Sequence, residues 1–354
     1  MKFLIYTDPH FCTYSSIVRS RGNKYSTRLE NLIDSLNWVQ KTAKENNCNS
    51  VICLGDFFDK SELSPEEITA LGEINWADVP QAFLVGNHEM GRSTLDFSSA
   101  HLFKVCPNAT VFDVVQKFVF GDTEVCFLPY TLEIDRKPIS EYFDYGQDMF
   151  PKCSKRIILS HNDISGIQMG QFISQDGFSI KEIEDYCDLF VNGHLHNGTE
   201  ITKKIINLGN LTGQNFSEDG FIYKHRVMLL DTDTLQYEYI ENPYAFYFYK
   251  IDCTDLSHKQ IEEKFSKVRP NSVLTVSCYS SDINFIKPFV EASTVIESKV
   301  IIRQKVSKTE EGQESTEQEV QLNTIDHLER FRKYILEVFG TNDVIKEELE
   351  EVCK

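Results

Sequence analysis

The sequence has no C-x-x-C pair, no long apolar run, no excess of basic over acidic residues and no internal repeat. Each absence closes off a class. Ten cysteines, scattered singly from Cys12 to Cys353, make neither a zinc ribbon nor a disulfide framework. Most lie in apolar stretches, as Cys53 and Cys126 do, where cysteine packs as a small hydrophobe, so free thiols in a reducing cytosol are expected. The apolar start, 3–6, is interrupted by Asp8 and His10 far short of a secretory signal, and no stretch approaches a membrane-spanning length. A soluble, cytoplasmic protein with no membrane association is the expectation. With 36 Lys plus Arg against 54 Asp plus Glu, the net charge is −18. Bulk positive charge, which drives nucleic-acid binding through counterion release, is therefore missing. What is present is ordinary: 354 residues, 41% hydrophobic and 25% charged, neither fibrous nor disordered and too long for one core.

Short β-branched or aromatic runs recur at 3–6, 51–54, 82–85, 125–128, 157–159, 189–191 and 205–208, each followed at once by polar residues. Their continuity predicts strands buried on both faces. Between the first two, 28–44 carries Leu29, Leu32, Ile33, Leu36 and Val39 at helical spacing, and Ser64-Pro65-Glu66-Glu67 reads as an N-cap with proline at the first helical position. This alternation predicts an α/β fold. Stretches 226–230 and 236–240, around Asp231-Thr232-Asp233-Thr234, read as a hairpin in a mixed sheet. Past Asn242-Pro243 the pattern becomes strand, helix, strand, helix, strand, a second small α/β unit. The expected domains are 1–243, 244–306, an acidic linker at 307–322 and a helical segment at 323–354. In the last, Ile325, Leu328, Phe331, Ile335, Leu336 and Phe339 form an apolar stripe that either packs on its own domain or docks a partner.

The polar residues after the strands carry the chemistry. Five strand ends read Asp8-Pro9-His10, Gly55-Asp56, Gly86-Asn87-His88-Glu89, Ser160-His161-Asn162 and Gly193-His194-Leu195-His196. In open α/β sheets that edge binds ligands. A single histidine there is usually structural; five such ends converging is a different matter. Imidazole, carboxylate and amide donors without cysteine suit manganese, iron or zinc, and there are enough of them for two ions sharing a carboxylate. Two decoys share the region. Gly86–Ser93 has the spacing of a phosphate loop but carries Arg92 where lysine belongs, and His88-Glu89 lacks the second histidine of H-E-x-x-H.

In order, Asp8-x-His10, Gly55-Asp56, Gly86-Asn87-His88-Glu89, His161 and Gly193-His194-x-His196 resemble the calcineurin-like metallophosphoesterase signature. That resemblance implies a four-layer sandwich, two mixed sheets flanked by helices, here with a small α/β capping domain and C-terminal helices. It implies that Asp8, His10 and His196 hold one divalent ion, that Asn87, His161 and His194 hold a second, and that Asp56 bridges them. The pair would be Mn2+, with Mg2+, Fe2+ or Zn2+ as substitutes, and His88 would act on the leaving oxygen. Gly55-Asp56-Phe57-Phe58-Asp59 further resembles the DNA-processing branch, the SbcD-type nuclease subunit of bacteria and phages. This implies exonuclease and endonuclease action on duplex ends and single strands in recombination and repair. A metal-activated hydroxide would cleave the phosphodiester. It also implies a coiled-coil ABC ATPase partner of the SbcC type, a homodimer, and a bacterial cytoplasm or phage-infected host cell.

An acidic chain needs local help to hold DNA. Arg19, Arg21, Lys24 and Arg28 cluster in 11–29, a stretch without acid, and are either a DNA-backbone contact or a solvated basic loop. The alternative function, with the same ligands and better suited to the net charge, is a small-molecule phosphodiesterase or nucleotidase. A non-catalytic scaffold on the same fold would be expected to have lost ligands, and none is lost.

Overall fold

Alternation along the first strand sets the layering. The computed structural model describes residues 1–14, 24–144, 153–169, 172–293, 295–303 and 321–322. In Lys2–Tyr6, Phe3 and Ile5 point to one side and Leu4 and Tyr6 to the other, and both sides are buried. Leu4 and Tyr6 meet Leu29, Leu32, Leu36 and Val39 from helix Thr27–Glu45, whose N-cap Ser26 accepts the Leu29 amide. Phe3 and Ile5 instead meet a second sheet, through Val125, Phe127, Ile157, Leu159 and Val191.

The first sheet has six strands in the order Tyr237–Glu241, Arg226–Asp231, Lys2–Tyr6, Ser50–Cys53, Gln81–Leu84, Ala109–Phe112. The last four of these are mutually parallel. The second sheet, also six-stranded, runs Thr199–Glu200, Ile205–Asn207, Leu189–Asn192, Lys155–Ser160, Thr123–Leu128, Gln116–Phe120, with four parallel strands at its centre. Its outer face, Cys126, Leu128, Ile158, Phe190 and Ile205, is covered by Ile139 and Ile183 of helices Ile139–Asp144 and Ile180–Tyr186. Helix, sheet, sheet, helix is the expected four-layer sandwich. Helix Pro65–Leu71 begins with a reciprocal capping box between Ser64 and Glu67.

The chain divides into units Met1–Phe248 and Tyr249–Lys354. The expected boundary after 243 moves to after Phe248 for a physical reason. Residues 244–248 are tied into the first unit, where Asn31 Nδ2 donates to Tyr244 O, Phe246 N to Thr212 Oγ1 and Gly213 N to Phe246 O. The second unit carries helices His258–Phe265 and Ile283–Ala292, and strand Ser272–Tyr279 pairs in parallel with Glu297–Arg303. The expected helical segment 323–354 and most of 307–322 lie outside the described residues. Nine cysteines among the described residues are free thiols, and no described helix is long and apolar enough to cross a membrane.

One buried histidine makes the first unit acid-sensitive. His225 donates from Nδ1 to Asn210 O and packs against the Tyr247 ring, and burial pulls its pKa down to about 4. The unfolded chain therefore takes up this proton first. The histidine's contribution is fully present above the ordinary histidine value of about 6.5 and is lost as pH falls from there toward 4. Urea unfolding at pH 7 and pH 5 should show a His225→Gln variant losing about 2 kcal/mol less than the native chain over that interval. Equal losses would contradict the assignment.

Candidate metal centre

The parallel strands of both sheets deliver their polar ends to one edge, and the turns there are held in unusual backbone. Asp8, His10, Asp56 and His194 have φ of 49°, 47°, 46° and 72°, four of the nine non-glycine residues in the left-handed region among those described. Such conformations cost free energy, and they concentrate where side chains must be aimed at a site. Close approach is enforced at two glycines. A Cβ on Gly55 would stand 2.4 Å from the His161 ring, and one on Gly193 would stand 2.2 Å from Thr7 Oγ1.

Two groups of ligand atoms result, Asp8 with His10 and His196, and Asp56 with His161 and His194, all within 4.8 Å of one another in each group. His10 Nε2 and His196 Nε2 face each other at 3.1 Å. Asn87 Oδ1 lies 2.9 Å from His194 Nδ1 and 3.3 Å from His161 Nε2, completing the second group. Asp56 Oδ2 is 3.1 Å from His161 Nε2 and 3.9 Å from His10 Nε2, so one carboxylate oxygen looks into both groups. Asp8 Oδ2 accepts from Thr7 Oγ1 and the His194 amide, while its buried Oδ1 has no hydrogen-bond partner. A buried carboxylate oxygen with no hydrogen bond to its lone pairs, beside two convergent imidazole nitrogens, fits a divalent cation. Shared through Asp56, the donor set fits two.

Each imidazole is turned by an outer partner. His10 Nδ1 donates to Asp59 Oδ1 (3.1 Å), His196 Nδ1 to Glu218 Oε1 (3.2 Å) and His161 Nδ1 to Leu54 O (2.9 Å). His194 is reversed, with Nε2 on Asp163 Oδ1 at 3.0 Å and Nδ1 facing inward. These bonds fix the tautomers and raise ligand basicity. Glu89, quoted in the sequence motif without a role, accepts the Phe58 and Gly86 amides and so fastens the two turns that carry Asp56 and Asn87. Burial, with the nearby Asp56 charge, pushes its carboxyl up to about 7.

His88 sits at the rim. Its Nδ1 is 3.1 Å from Asp59 O, its ring is 4.7 Å from the His10 ring, and a ligand atom of His88 lies within 4.8 Å of those of His10 and Asp56. The basic stretch is a different outcome. Arg28 is buried, donating to Pro9 O (3.0 Å) and Gly213 O (2.9 Å), so the expected DNA contact is instead a brace beneath the Asp8-Pro9-His10 turn. Lys24 is exposed and paired with Glu73, and Arg19 and Arg21 lie outside the described residues.

The sequence pattern of the calcineurin-like phosphoesterase family matches residues 1–198, more than half of the chain. The chain belongs to that family. No curated protein matches it. Among solved structures this phosphoesterase is similar to TT1561 of Thermus thermophilus (11% identity, TM-score 0.41, 68% of this chain and 98% of that one). It is also similar to a dimetal phosphatase from Danio rerio (13%, TM-score 0.38, 68% and 98%) and to a Vps29 mutant from Entamoeba histolytica (13%, TM-score 0.29, 68% and 99%).

The buried carboxylates favour the protonated form of the imidazoles that face them. Burial alone would pull His10 and His161 down. The hydrogen bonds to Asp59 and Asp8 with the Asp56 charge raise His10 to about 10, and the Asp56 and Asp8 charges raise His161 to about 9. Ligation requires both neutral, so at pH 7 Mn2+ binding should expel about two protons per chain. Calorimetry in two buffers of different ionisation enthalpy measures this, and heats independent of buffer would contradict it.

Proposed function

We propose that this phosphoesterase is a metal-dependent DNA nuclease, acting on duplex ends and single strands as the catalytic subunit of a recombination and repair complex with an SbcC-like ATPase. Asp59 is the observation that carries the reading. It is the last residue of the Gly-Asp-x-Phe-Asp form that resembles the DNA-processing branch, and it connects the two halves of the chemistry. Its carboxylate orients the ligand His10 and its carbonyl orients His88. The second α/β unit after the phosphoesterase unit is the layout the same branch implies. Mn2+ as the physiological metal and a homodimer belong to this reading.

Asp8, His10 and His196, Asn87, His161 and His194, and Asp56 would hold two divalent cations, which would supply an activated water and offset charge on the phosphoryl oxygens. The rest falls to the chain. His88 Nδ1 is committed to Asp59 O, which leaves Nε2 to carry a proton to the departing oxygen. The buried Asp8 and Asp56 hold their ionised forms against desolvation because imidazoles face them, which keeps both carboxylates able to bind a cation. Arg28, under the first turn, fixes the direction of Asp8 and His10 through Pro9 O.

A second reading, a small-molecule phosphodiesterase or nucleotidase, is favoured by the net charge of −18 and by the basic stretch, where Arg28 is buried and Lys24 is taken by Glu73. Linear duplex DNA, single strands and mononucleotides offered in Mn2+ separate the two. DNA should be degraded, and His88→Asn should slow this at least about 100-fold while retaining its metals. Turnover of nucleotides with DNA untouched, with and without an SbcC-like ATPase, would contradict the nuclease reading.

A further inference from the structure

One aromatic residue beside the ligand set is framed with unusual care and has an idle functional group. Tyr130 follows strand Thr123–Leu128, and its amide donates to Val85 O (3.0 Å), immediately before the Gly86-Asn87 turn. The Asn162 side chain grips the chain on both sides of it, accepting from Thr131 N (2.9 Å) and donating to Pro129 O (2.9 Å). Asn162 is itself fixed by Asn192, through Asn162 N to Asn192 Oδ1 (3.1 Å) and Asn192 Nδ2 to Asn162 O (2.8 Å). Arg136 adds a further clasp on Thr131 O (3.2 Å), its guanidinium lying 4.7 Å over the Phe178 ring.

Within this frame the Tyr130 ring stands 5.6 Å from the His194 ring and 6.5 Å from the His161 ring, so it walls the second ligand group. The residue is half-buried, and its hydroxyl makes no hydrogen bond to any described residue. The backbone at Tyr130 is fixed on both sides while its hydroxyl is left open beside the ligand set, which places a donor where a bound group can meet it. What binds beside two dications in a phosphoesterase is a phosphoryl group, rich in acceptors and poor in donors, and a phenol is a neutral donor that reaches one without adding charge.

We propose that Tyr130 is a substrate-positioning residue, its hydroxyl donating a hydrogen bond to a phosphoryl oxygen of the bound phosphoester. This rests on the phosphoester chemistry of the metal centre and not on DNA being the polymer cleaved.

Tyr130→Phe removes only the hydroxyl and Tyr130→Leu also removes the ring. Inorganic phosphate is titrated calorimetrically into the full chain saturated with Mn2+. Both variants should bind phosphate roughly 10-fold more weakly than the native chain, with Mn2+ stoichiometry and thermal midpoint unchanged. With any phosphodiester the native chain turns over, Tyr130→Phe should raise KM more than it lowers kcat. Native phosphate affinity in Tyr130→Phe, or a loss confined to Tyr130→Leu, would overturn the assignment, because the ring would then be only a wall. Loss of Mn2+ or of stability in Tyr130→Phe would overturn it in favour of a structural role. Weakened phosphate binding alongside intact DNA in every assay would uphold Tyr130 while the nuclease reading fails.

Discussion

Two aspartates buried side by side at one sheet edge are the constraint on which the rest depends. Ionised carboxylates are costly to bury unless paired, and Asp8 and Asp56 lie at full burial at the meeting edge of two sheets. The protein meets this cost by surrounding them with imidazoles, and the same arrangement makes a ligand set. The left-handed turns at Asp8, His10, Asp56 and His194, and the glycines that let Gly55 sit under His161 and Gly193 under Thr7, serve that convergence. Four layers with three cores between them give the rigid parallel strands that hold strained turns in place.

A second ring of residues converts convergence into precision. Asp59, Glu218 and Asp163 each turn one imidazole, Leu54 O turns the fourth, and Glu89 and Arg28 hold the turns themselves. Several of these are charged and buried, and each is paired or hydrogen-bonded, as their burial demands. His88 and Tyr130 stand outside this ring, His88 exposed and Tyr130 half-buried.

Much of this was legible in the sequence because of two periodicities. Continuous apolar runs ending in Asp, His or Asn marked the strands and the polar residues that converge at their ends, and the Leu29 to Val39 stripe marked the helix that covers the first sheet. Arg28 departs from the rest of the basic stretch because its place is set by its position on the helix and not by its charge. Arg28, Asn31 and Ser35 fall on one helix face and bind Gly213, Thr212 and Asn242, a buried polar stripe visible in the spacing but not in a charge count. Glu218 and Asp163 gave no signal, since one lies in a polar loop far from its histidine and the other beside a motif that already explained itself. Edge strands such as Ala109–Phe112 and Gln116–Phe120, interleaved with polar residues, were likewise silent.

If the buried acids and imidazoles exist to hold two cations, the most direct measurement is the Mn2+ stoichiometry of the full chain at pH 7, read by equilibrium dialysis and by anomalous scattering in a crystal. Two ions per chain are expected, one among Asp8, His10 and His196 and one among Asn87, His161 and His194, with Asp56 on both. A single ion, or two ions placed elsewhere, would contradict it.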